Sequence, residues 1–172
     1  KFQSHGFQCA MGTVIMSACF DEFLKMDLSK IDVDACVAAW PTLEQEQQRA
    51  LEIFKDFPVP QLGYTEITKK YNDAETVRQQ LTKVKENWPE LKERIQNQVY
   101  TYDKMVALMK SVGAPVGPES IGLTRAQVRR MVDFVQLMRW RINLFDLCKR
   151  AQIYDALLDR VFGKGGVLEI SE

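Results

Sequence analysis

From Phe2 to Phe20 the chain carries no Asp, Glu, Lys or Arg. A stretch of that length without charge has few fates: a membrane span, a secretory leader, or the centre of a helical core. Gln3, Ser4, His5, Gln8, Thr13 and Ser17 interrupt it and would be costly in lipid. It has neither the basic start nor the cleavage pattern of a leader. The expectation is a helix over about residues 5–25, apolar on nearly every side and buried at the centre of a helical domain.

The rest of the chain repeats helix signals. Asp32 or Ser29 can start a short helix carrying Val33, Val37 and Trp40, which Pro41 closes. Thr42-Leu43-Glu44-Gln45 and Thr124-Arg125-Ala126-Gln127 have the spacing of capping boxes, and Asn72-Asp73-Ala74-Glu75 is a start of the same kind. Thr42 opens a helix with Leu43, Ala50, Leu51 and Phe54 inside, and another resumes near Pro60 and runs to Tyr71. Val77, Leu81, Val84 and Trp88 recur at helical steps. Leu91, Ile95, Val99, Tyr102, Val106 and Met109 then make the longest stripe in the chain. Residues 111–123, rich in Gly and Pro, read as a loop. Val128, Met131, Val132, Val135, Met138 and Ile142 read as the inner face of the helix that follows. Residues 143–162 supply one or two last helices, and Val167-Leu168-Glu169-Ile170 is an edge strand or a loose tail. The pattern predicts an all-α fold of seven to nine helices over residues 1–172, a length sufficient for one hydrophobic core. No glycine-rich phosphate loop and no repeat at a solenoid period occurs.

Lys plus Arg and Asp plus Glu both number 23, so no net field draws nucleic acid, and no basic cluster is interleaved with aromatics. Nucleic acid is not an expected partner. Cys9, Cys19, Cys36 and Cys148 form no C-x-x-C pair. Cys9 and Cys19 fall roughly 15 Å apart on one helix, too far to bridge. Buried free thiols in the reducing cytoplasm are the expectation.

His5 is the only histidine. At a buried helix start it would stay neutral and keep a nitrogen lone pair for a metal, with Gly6 allowing close approach. A hydrogen-bonded structural residue is the other reading. Ser4 fits a helix cap and Gln8 a packing residue, with contact to a metal shell or substrate as the alternative. Arg139, Arg141 and Arg150, with Asp146, either clamp a phosphate-bearing substrate or lie on a solvated face and pair with Asp146 and Asp155.

Ser4-His5-Gly6-Phe7-Gln8 followed by Gly12-Thr13 resembles the helical half of the iron-containing alcohol dehydrogenase superfamily, which includes dehydroquinate synthases. More narrowly, the chain is similar to bacterial sn-glycerol-1-phosphate dehydrogenases. Residues 32–41, Trp88-Pro89-Glu90-Leu91, Gly113-Ala114-Pro115, Pro118-Glu119-Ser120-Ile121-Gly122, Arg139 to Asp146 and Arg150 extend the likeness over nearly the whole chain. The resemblance implies a C-terminal helical metal and substrate-cleft domain, preceded in a larger protein by a nucleotide-binding domain absent from this chain. The start at Lys1 accords with that expectation. It also implies that His5 is the last of three ligands, one Asp and two His, to a divalent zinc, nickel or iron. NAD or NADP would exchange hydride between dihydroxyacetone phosphate and sn-glycerol 1-phosphate. The chain alone is then expected to be inactive, without a nicotinamide site or tight metal binding, and the complete protein to be a cytoplasmic homo-oligomer without a membrane span. A polyol dehydrogenase or dehydroquinate synthase-like enzyme, or a non-enzymatic helical interaction module, are the alternatives.

Overall fold

The computed structural model describes residues 4–170; Lys1, Phe2 and Gln3, and so the head of the charge-free stretch, lie outside the described residues. The fold is all-helical, with no strand among the described residues. Its α-helices are α1 (His5–Leu24), α2 (Val33–Ala38), α3 (Leu43–Phe54), α4 (Gln61–Lys70), α5 (Ala74–Glu86), α6 (Trp88–Gln96), α7 (Tyr102–Ser111), α8 (Arg125–Leu137), α9 (Leu144–Arg150) and α10 (Tyr154–Phe162). Single 3-10 turns occur at Leu28–Lys30 and Pro118–Ile121.

Side chains that satisfy the orphan amides of the first turn start most of these helices. Ser4, Asp32, Asp73 and Thr101 each accept from the amide three residues on. Thr42 and Thr124 form reciprocal boxes. The Gln45 amide donates to Thr42 at 3.2 Å and the Gln127 amide to Thr124 at 3.1 Å, while each threonine amide donates to the glutamine side chain at 2.8 Å. Asn143 caps α9 in the same way with Asp146.

The chain divides into two compact units. One comprises the described residues through Asp27, Trp88–Arg129 and those from Asp155 onward. There α1 packs on α7, the Phe23 and Trp88 rings meet edge-on with centroids 5.4 Å apart, and the Tyr102 amide donates to the Asp21 carboxylate at 2.6 Å. Buried Leu157, Leu158, Val161 and Phe162 line α10. The tail after it is neither a strand nor loose: the Leu168 amide donates to Val161 O and the Ile170 amide to Phe162 O, with Leu168 buried. Gly166 permits this return, because a Cβ there would lie 2.4 Å from Val161 O.

The second unit comprises Leu28–Asn87 and Arg130–Tyr154. One core gathers Cys36, Val77, Leu81 and Ala151; another gathers Ala50, Phe54, Ile67 and Leu137. Trp40 stacks on Tyr71 and donates its indole N–H to Asn72 O at 2.9 Å. α3 packs on α4.

Three expectations about burial are corrected. α1 is not buried along its whole length: Ser4 to Cys9, Gly12 and Thr13 are exposed, whereas no residue from Val14 to Leu24 is exposed and Val14, Ser17, Ala18, Cys19, Phe23 and Leu24 are buried. The run lacks charge on both sides, so its composition could not mark which side faces out. The stripe from Leu91 to Met109 is not one helix. α6 ends at Gln96, Thr101 caps α7, and every residue of that stripe is half-buried. In α8, Val128 and Val132 are buried, but Gln136 and Leu137 continue the inner face, while Met131, Val135 and Ile142 are exposed. The helix stops at Leu137, so Ile142 never joins the stripe.

Candidate functional site

His5 is the first residue of α1, and the Ser4 hydroxyl accepts from the Phe7 amide at 3.2 Å, which is the expected capping role. The imidazole is exposed, correcting the expectation of a buried helix start. Gln8 is exposed too. At 100° per residue, His5, Cys9, Gly12, Thr13 and Met16 fall within about 100° of one another around the helix, opposite the covered face. Cys9 Sγ lies 3.4 Å from His5 Nε2, and the Thr13 hydroxyl donates to Cys9 O at 2.9 Å. Cys9 is the one exposed cysteine; Cys19, Cys36 and Cys148 are buried as expected. Burial pushes the Cys19 thiol up to about 12.

Glycines on this helix have no packing reason to be glycine. A Cβ built on Gly6 or Gly12 would meet nothing within 4 Å. Interior helical glycine costs about 1 kcal/mol relative to alanine. The α1 end is therefore an uncharged, exposed ridge that gives up helix stability for open space. Among the described residues no group of three or more His, Cys, Asp or Glu side chains could hold a metal, so His5 has no complete ligand set here.

The arginine cluster does not assemble. Arg139 and Arg141 are exposed on the segment after α8, with Arg141 over the Trp140 ring. Arg150 is buried, donating to Gln80 at 2.7 Å and to Asn72 at 3.0 Å. Its Nε is buried without a hydrogen-bond partner.

Asp146 lies close enough to Arg150 for a favourable Coulomb interaction, as the pairing alternative expected, and it also anchors a network the sequence did not announce. Lys70 Nζ pairs with the Asp146 carboxylate at 2.8 Å and also donates to Gln136 O. The Gln136 side chain donates to Asp146 at 2.7 Å and accepts from Arg49 at 2.7 Å, and Arg49 pairs with Glu46 at 2.8 Å. The Lys70 side chain is only 2% exposed. Burial draws its pKa below the ordinary lysine value, and the adjacent Asp146 carboxylate opposes that shift. Only the Glu46–Arg49 spacing of three residues was visible in sequence; the other contacts join positions far apart along the chain. This arrangement is a largely buried polar brace within the second unit, with Arg49 half-buried at its edge.

An open cleft of about 350 Å³ in the first unit is lined by Asp21, Leu24, Lys25, Gln96, Val99 and Thr101. Its Asp21 carboxylate is already held by the Tyr102 amide.

No family model, curated protein or solved structure matches the chain. No helix among the described residues is long and apolar enough to cross a membrane.

Proposed function

We propose that this chain is the helical domain of a metal-dependent, NAD(P)-linked dehydrogenase that interconverts dihydroxyacetone phosphate and sn-glycerol 1-phosphate, with His5 as a metal ligand. The resemblance around Ser4-His5-Gly6-Phe7-Gln8 and Gly12-Thr13 motivates the reading. One observation carries it: those same residues form the exposed, uncharged ridge of α1, where Gly6 and Gly12 leave space that nothing in the chain fills. A ridge of this kind suits the wall of a cleft closed by another domain, and an exposed imidazole at its end suits a ligand awaiting partners.

In that arrangement His5 would help hold a zinc, nickel or iron ion, which would supply Lewis-acid polarisation of the substrate oxygen, with hydride exchange supplied by a nicotinamide. This chain contributes one imidazole and the shape of one wall. Cofactor and the other two ligands belong to the preceding domain. Ser4 fixes the first turn of α1 and so holds the His5 backbone in place.

The test uses the complete protein. His5→Ala should remove stoichiometric divalent metal and nearly all turnover with dihydroxyacetone phosphate and reduced cofactor, with the circular dichroism of the helical domain unchanged. Metal content and turnover near wild type would reject His5 as a ligand and the dehydrogenase reading with it.

A further inference from the structure

We propose that Cys9 is a metal ligand beside His5, making the exposed end of α1 a two-point clamp for a thiophilic divalent cation such as zinc, cobalt or cadmium. The inference rests on His5 being a ligand, as in the proposed function, and extends that site by a sulfur donor.

The two residues are four apart on one helix face, where side chains meet. Sγ of Cys9 is 3.4 Å from Nε2 of His5 and 4.0 Å from Nδ1. A tetrahedral zinc ion with a thiolate at about 2.3 Å and an imidazole nitrogen at about 2.0–2.1 Å separates those two donors by about 3.5–3.6 Å. The clamp therefore needs only a small side-chain adjustment to hold such an ion.

A thiol hydrogen bond to the imidazole accounts for the distance alone, but not for the surroundings. Cys9 is exposed while the other three cysteines are buried. Gly12 follows on the same face with nothing within 4 Å of a Cβ, so remaining coordination positions open to water or to another protein ligand. From Phe2 to Phe20 there is no Lys or Arg to repel a cation. On binding, the Cys9 S–H bond breaks, its proton passes to solvent, and the sulfur lone pair forms the metal bond. A thiolate in the set favours zinc, cobalt or cadmium over magnesium or manganese. Two ligands give an affinity well below that of a complete site.

The chain itself is titrated with cobalt(II). The expected result is a thiolate-to-cobalt charge-transfer band in the near ultraviolet that saturates at a single equivalent and is displaced by zinc. Cys9→Ser should abolish the band, and His5→Ala should weaken binding by at least about tenfold. Both side chains are exposed, so far-ultraviolet circular dichroism should match wild type in both variants. Absence of the band, its survival in Cys9→Ser, or wild-type affinity in His5→Ala overturns the clamp. The fate of the dehydrogenase reading is separate, because it is judged by metal and turnover in the complete protein carrying His5→Ala. If that variant is dead while the cobalt band is missing here, Cys9 alone is rejected.

Discussion

At Gly12 the chain gives up about 1 kcal/mol of helix stability with no packing return. Gly12→Ala should therefore raise the unfolding free energy by about 0.4–1 kcal/mol, measured by chemical denaturation. In the complete protein the same methyl should lower turnover, since it narrows the ridge facing the proposed cleft. A variant less stable than wild type would mean that α1 is packed on that face. Lys70 is the opposite kind of residue, enclosed and committed. Lys70→Met leaves the buried Asp146 carboxylate without its ion-pair partner and should destabilise by about 3–5 kcal/mol. Burial lowers the Lys70 pKa, so between that lowered value and the ordinary 10.5 the unfolded chain holds the proton more firmly than the folded one. Its contribution to stability consequently rises with pH across that window. The gap between wild type and Lys70→Met should widen from neutral to alkaline pH; a gap that narrows would contradict the direction of the shift.

Among elements, α3 and α4 approach each other closely. A Cβ on Gly63 would stand 2.7 Å from Cδ2 of Phe54, whose ring also meets Phe57 and Phe134 edge-on. Gly63→Ala should destabilise by about 1–3 kcal/mol through overpacking, and adding Phe54→Leu should recover part of that loss. Independent, additive effects of the two changes in thermal unfolding would place the strain elsewhere. The helices themselves were legible because their causes are local: a Thr or Asp cap, a Gln three residues on, a proline at the boundary. Thr42, Asp73 and Thr124 start helices for reasons contained in four residues. Burial was less legible. α1 has no charge to point outward, and α8 has more apolar surface than its neighbours cover, so in both the covered side is set by tertiary contacts. The His5–Cys9 spacing was present in sequence, but without the exposure of that face it carried no chemistry. The Lys70–Asp146 pair joins residues on α4 and α9, a distance along the chain that no periodicity reports.

Over the whole molecule the formal charge is zero and the isoelectric point is about 6.8. Near that pH little electrostatic repulsion opposes association, and exposed apolar groups then decide colloidal behaviour. In the second unit Met131, Val135, Trp140 and Ile142 are all exposed, with Trp140 at 55% and Ile142 at 54%. Light scattering of the chain should therefore pass through a maximum near pH 6.8 and fall on either side. The variant combining Trp140→Ser and Ile142→Ser should flatten that maximum. Because both side chains already face water, its unfolding free energy should stay within about 0.5 kcal/mol per substitution of wild type. A loss of several kcal/mol would instead assign them to a packed interior. Unchanged scattering with unchanged stability would move the self-association surface away from this patch, leaving the uncharged ridge of α1, with Phe7 exposed at its start, as the next surface to alter.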